Sequence, residues 1–134
     1  MPAKWIYNDN GKIKLKDECS NFMIIVECYP SLYDSKGSLI VTAAYRQTST
    51  KAIVIIENKE FELGYTGGPA GRLFIGVGTN STDFVKLLLD NSHLEDNIYS
   101  IKVKVDNEIL LFDSLPINKA LNQLWNETDC EAFN

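Results

Sequence analysis

The chain has 134 residues, 45% hydrophobic and 23% charged, which is enough for one domain with a sizeable core. Its net charge of −5 argues against general nucleic-acid binding, which calls for a basic face. No apolar run approaches the roughly 20 residues that span a bilayer, so no membrane span is expected.

Met1-Pro2-Ala3-Lys4-Trp5 is followed by no apolar h-region and does not read as a signal peptide. The chain as it stands reads as cytoplasmic, or as periplasmic if an export signal was removed ahead of Met1. Trp5-Ile6-Tyr7 and Ile13-Lys14-Leu15 flank Asn8-Asp9-Asn10-Gly11, whose Asn-Gly step predicts a hairpin. Asn21 to Tyr29 reads as a mostly buried strand. Phe22, Ile24, Val26 and Cys28 share one face, and Met23 and Ile25 the other. Pro30 ends it. Asp34 to Gly37 is a turn, and Ser38 to Tyr45 the next strand. Gln47 to Thr50 bends the chain into Lys51 to Glu57. Asn58-Lys59 then turns it into Glu60 to Tyr65, and Leu73 to Val77 is a further strand.

Helical periodicity comes late. Phe84, Leu87 and Leu88 share a 3.6-residue face, with Ser81 or Thr82 as the expected N-cap. Ile98 to Val105 and Glu108 to Phe112 form a hairpin about Asp106-Asn107. Ser114 is the expected cap of a last helix, Pro116 a first-turn residue, and Ile117, Ala120, Leu121 and Leu124 its apolar stripe. There is no repeat and no linker. Short strands with turn signals about every 8–12 residues predict a single mostly β domain over residues 1–134. The expected fold is an antiparallel β-sandwich or partly closed barrel with two short helices.

Reactive groups are few. His93 is the only histidine and lies in a polar stretch, so no serine or cysteine has an evident base. Glu57 and Glu60 are spaced as hairpin surface residues rather than as an acid–base pair. Gly76-Val77-Gly78-Thr79-Asn80-Ser81 stands between strand and helix like a phosphate-binding turn, but lacks the third glycine and a parallel βαβ setting. The three cysteines, Cys19, Cys28 and Cys130, form no CxxC, so no metal is expected. On a straight strand Cys19 and Cys28 would lie roughly 30 Å apart and could not pair, while Cys130 could reach either. No catalytic residue and no cofactor are expected.

Binding is the remaining reading. Gly64 to Arg72 is the least strand-like stretch, and its Tyr65, Gly67, Gly68 and Arg72 are candidate contacts for a partner or an anion. Tyr33, Tyr45 and Tyr99 stand at strand ends or loops, where tyrosine suits protein recognition.

The second half resembles small bacterial β-sandwich proteins of the invasion-associated locus B family and the TagO-type accessory proteins of type VI secretion. The matching residues are Phe84 with Leu87 and Leu88, Ile101 to Val105, Phe112-Asp113-Ser114-Leu115, Ala120-Leu121-Asn122-Gln123-Leu124 and Cys130. Pro116 stands where that pattern usually has glycine, and the usual export signal is missing. The resemblance implies a non-enzymatic envelope or secretion accessory protein. The expected function is a non-catalytic protein-binding module with a protein partner, a second copy of the chain being one such partner. The alternatives are a small acidic inhibitor of a host defence enzyme, encoded by a phage or mobile element, and a small-ligand binder using the glycine-rich loop.

Overall fold

The computed structural model describes residues 1–8, 10–29, 37–46, 49, 51–65, 72–77, 79–90 and 98–130, with backbone alone at 65, 72, 74–77 and 79. The elements among them run β1 (Trp5–Asn8), β2 (Lys12–Lys16), β3 (Met23–Tyr29), β4 (Ser38–Ala44), β5 (Lys51–Ile56), β6 (Lys59–Tyr65) and β7 (Arg72–Val77). Then come α1 (Thr79–Asp90), β8 (Tyr99–Val105), β9 (Glu108–Ser114) and α2 (Asn118–Glu127). The mostly β, antiparallel fold with two helices is the one the alternation predicts. No helix among the described residues is long and apolar enough to cross a membrane.

All nine strands join one sheet in the order β1-β2-β3-β4-β7-β6-β5-β8-β9. Its weakest junction is β6 to β7, which pair only at Gly64–Phe74 and Tyr65–Leu73. The sheet divides there into two layers that face each other as a sandwich. At the other side the layers meet at a single parallel bridge between Ala3 and Ser114, so the barrel closes only partly. Between the layers lie Leu15, Phe22, Ile24 and Val41 from one side, and Val54, Leu63, Ile101 and Val103 from the other, all fully or almost fully buried. Trp5 donates its indole N–H to the Tyr99 hydroxyl at 3.0 Å across this core, so both polar tips are satisfied where water is excluded.

Tight turns carry the register. Asp106 and Asn107 both take positive φ, 53° and 67°, the geometry of a two-residue hairpin turn. The β5–β6 turn falls at Glu57-Asn58, also at positive φ, one residue earlier than expected, because Ile56 pairs with Lys59. The early strand is covered on both faces. Ile25 and Glu27, opposite the core face of β3, are as buried as their core-facing neighbours.

The helices cover apolar openings of the sheet. α1 lies against β4 and β7, and Phe84 meets Phe61 edge-on with centroids 5.1 Å apart. Ser81 does not cap this helix, which begins at Thr79. Its hydroxyl takes the amide of Val41 at 3.1 Å, where the β4–β7 register shifts between Val41 and Thr42 and leaves a buried donor. α2 lies against β1 and β2 and buries Ala120, Leu121 and Leu124, with Ile117 just ahead. The expected Ser114 cap is not made. Ser114 is the last residue of β9, its hydroxyl donates to the Leu115 carbonyl, and α2 starts later, with Ile117 at the N-cap and no side-chain cap.

A disulfide joins Cys28 on β3 to Cys130 just beyond α2. It pins the end of the helix to the sheet and leaves Cys19 exposed and free. Gly37 is required beside it, since a Cβ there would stand 2.6 Å from Cys28 Sγ and 2.7 Å from Asp129 Oδ1.

Candidate protein interface

The residues singled out from sequence do not converge. Tyr33, Gly67 and Gly68 lie outside the described residues, and so does His93. The backbone of Tyr65 ends β6 and that of Arg72 opens β7. Tyr99 opens β8 as expected but turns inward, 3% exposed, with its hydroxyl spent on Trp5. A buried ring offers no contact to a partner, so Tyr99 is corrected from a binding residue to a core residue. Alternation puts it on the inner face with Ile101 and Val103, and a strand-end position alone does not reveal that.

Tyr45 stays partly accessible and anchors a polar cluster. Its hydroxyl donates to Glu108 Oε2 at 2.7 Å, while Arg46 Nη1 holds Glu108 Oε1 at 2.8 Å. The Arg46 guanidinium also stands 4.9 Å from the Tyr45 ring centre. The hydrogen bond from Tyr45, aided by Arg46, keeps the Glu108 carboxyl below its ordinary range, and the same bond raises the Tyr45 phenol. Next to it, Ser49 donates to Asp106 Oδ2 at 2.5 Å. Together these contacts tie the chain after β4 to the β8–β9 turn. Their polar atoms are mutually satisfied, as in a latch.

Catalytic or metal geometry does not emerge from the described residues. Cys28, Asp129 and Cys130 lie close enough to suggest a metal site, but both sulfurs are bonded to each other and are not thiolate ligands. Glu57 and Glu60 are exposed hairpin residues.

One concave surface stands out. A groove of about 950 Å³ runs between β1 and the start of α2. Lys4, Ile6 and Tyr7 line one wall, and Asn118, Lys119 and Gln123 the other. Ile6 is 60% exposed, because strand alternation sends Trp5 inward and Ile6 out. No carboxylate lines the groove among the described residues, although the whole chain is acidic. Lys4 and Lys119 make no ion pair with the described residues. α2 begins there without a side-chain cap and with no acidic residue in its first turn, so its positive end is uncompensated. Asn118 Oδ1 is buried and accepts no hydrogen bond. Sequence reading missed this site because its two walls are more than 100 residues apart. No local signal marks it, because Ser114 reads in the sequence as the cap of this helix.

Compared with protein-family models, curated proteins and solved structures, the chain finds no match in any of the three.

Proposed function

We propose that the protein is a non-catalytic protein-binding module that seats an extended, acidic segment of its partner in the groove between β1 and α2. The observation that carries this reading is the chemistry of the groove. It combines two lysines that pair with no carboxylate among the described residues, an uncompensated helix N-terminus and an exposed Ile6. A simple anion would suit the lysines but would leave Ile6 uncovered. A peptide segment brings carboxylates for Lys4 and Lys119. An apolar side chain between its acids would cover Ile6. The resemblance to bacterial envelope and secretion accessory proteins fits the same non-enzymatic role.

The test is selection from a displayed library of random peptides. Wild type should enrich acidic sequences interrupted by an apolar residue, with binding that weakens as salt rises. The double variant Lys4→Glu/Lys119→Glu should bind the enriched peptides at least tenfold more weakly, about 1.4 kcal/mol. Its melting temperature should stay close to wild type, since both lysines are exposed. Equal binding by the variant would remove the groove as the docking surface.

A further inference from the structure

The β8–β9 hairpin determines which backbone groups are left over. A two-residue turn at Asp106-Asn107 makes Val105 and Glu108 a hydrogen-bonded pair, and the alternation then makes Val103–Leu110, Ile101–Phe112 and Tyr99–Ser114 bonded pairs too. The N–H and C=O of Ile109, Leu111 and Asp113 therefore point away from β8. One contact confirms this parity: the Asp113 carbonyl accepts the Ala3 amide at 2.7 Å on that outer edge. On that outer edge Ile109 and Leu111 face no further strand among the described residues, their Cα partners Lys104 and Lys102 lying on the β8 side. The Ile109 and Leu111 side chains are 61% and 71% exposed. β9 carries no lysine, no proline and no register shift, the devices that usually blunt an edge.

We infer that β9 is a self-pairing edge, through which two copies of this chain continue one sheet into the next. Ala3 closes the edge from Asp113 onward, so the open window runs from Glu108 to Phe112, with Leu110 at its centre. A two-fold axis at Leu110 sets Ile109 against Leu111 of the partner subunit, and Leu111 against Ile109 of the partner subunit. Both are pairs of residues with outward backbone groups, so each exchanges both bonds. The window is symmetric about the same residue that the parity requires, which is the condition a two-fold interface imposes. The outer rows also match. Ile53, Lys104 and Ile109 stand in register, as do Ile55, Lys102 and Leu111. Across the axis the four exposed aliphatic side chains form one patch, bordered in each copy by Lys102 and Lys104. Lysine stems can lie along such a patch while their ammonium groups stay in water. A short edge of this kind makes a weak dimer, with the interface energy in the backbone bonds and the aliphatic patch.

The experiment is amide hydrogen exchange read across a protein concentration series, with sedimentation velocity on the same samples. The inference expects a monomer–dimer equilibrium. It also expects the Ile109 and Leu111 amides to gain at least tenfold protection as concentration rises. The Leu110 and Phe112 amides, already bonded to β8, should not change. Leu111→Lys should abolish the dimer, and Leu111→Thr, which keeps a strand former at an exposed site, should weaken it. Two results would overturn the inference: a monomer throughout with both amides unprotected, or a dimer that survives Leu111→Lys.

Discussion

Ala3 donates its amide to the Asp113 carbonyl at 2.7 Å and takes the Leu115 amide on its own carbonyl at 2.9 Å. These two bonds are what joins the first strand to the last. Ala3→Pro removes the donor and leaves the Asp113 carbonyl unpaired, whereas Ala3→Val keeps the amide. The proline variant should lose about 0.5–1.5 kcal/mol in urea unfolding, the net worth of one hydrogen bond at an exposed edge. The valine variant should change by less than about 0.5 kcal/mol. Equal losses would mean that the side chain, not the seam bond, matters at this position.

The second prediction concerns α2. Leu121 is 1% exposed and packs with Ile117, Ala120 and Leu124 against the sheet. Leu121→Ala removes buried volume that the surrounding strands can only partly refill. It should cost about 2–5 kcal/mol, seen as a lower urea midpoint with an unchanged slope. A loss under about 0.5 kcal/mol would make the helix peripheral to the core.

A third follows from Cys28–Cys130, which closes a loop of 102 residues in sequence. In the chain-entropy account a loop of about 100 residues contributes up to about 4.7 kcal/mol. Native protein should react at Cys19 alone with a thiol reagent, and at all three cysteines after reduction and unfolding. Cys130→Ser should lower stability by about 2–4 kcal/mol under oxidising conditions and by little when dithiothreitol is present throughout. Two or three reactive thiols in the untreated native protein would show that the bond is not formed.

Much of this architecture is legible in the sequence, and the reasons differ element by element. Asp106-Asn107 is legible because positive φ at two successive residues demands such types, and the α2 stripe because its period is local. The strand order is not. β7 slips between β4 and β6, and β5 between β6 and β8, through pairings that no local pattern encodes. Ser81 looks like a helix cap because capping is its commonest use, yet a buried amide 40 residues earlier claims its hydroxyl. The burial of β3 is legible, since the segment reads as a mostly buried strand and Ile25 and Glu27 are covered on its second face. For the groove, the sequence shows Ile6 as an outward strand residue and Lys119 as a helix surface residue. Only the meeting of β1 with α2 makes them one surface.

The last prediction is a pH dependence. Glu108 accepts from Tyr45 and pairs with Arg46, and its carboxyl is held below the ordinary glutamate value of 4.5. A depressed folded value means that the pair stabilises the fold above about pH 4.5. That contribution is lost as pH falls through the lower, folded-state value. The Tyr45 phenol is raised above its ordinary 10.0, chiefly by the same hydrogen bond. Its contribution is therefore present below pH 10 and is lost as pH rises through the raised value. Glu108→Gln keeps the shape but removes the charge. The stability gap between wild type and this variant should be widest near neutral pH and should narrow on acidification below pH 4.5. In the same variant, the phenolate absorbance of Tyr45 should appear at lower pH than in wild type, with a Tyr45→Phe subtraction isolating its signal. A gap that stays constant from pH 7 to pH 3, with no change in the phenol titration, would mean that the contact between Tyr45 and Glu108 does not persist in solution.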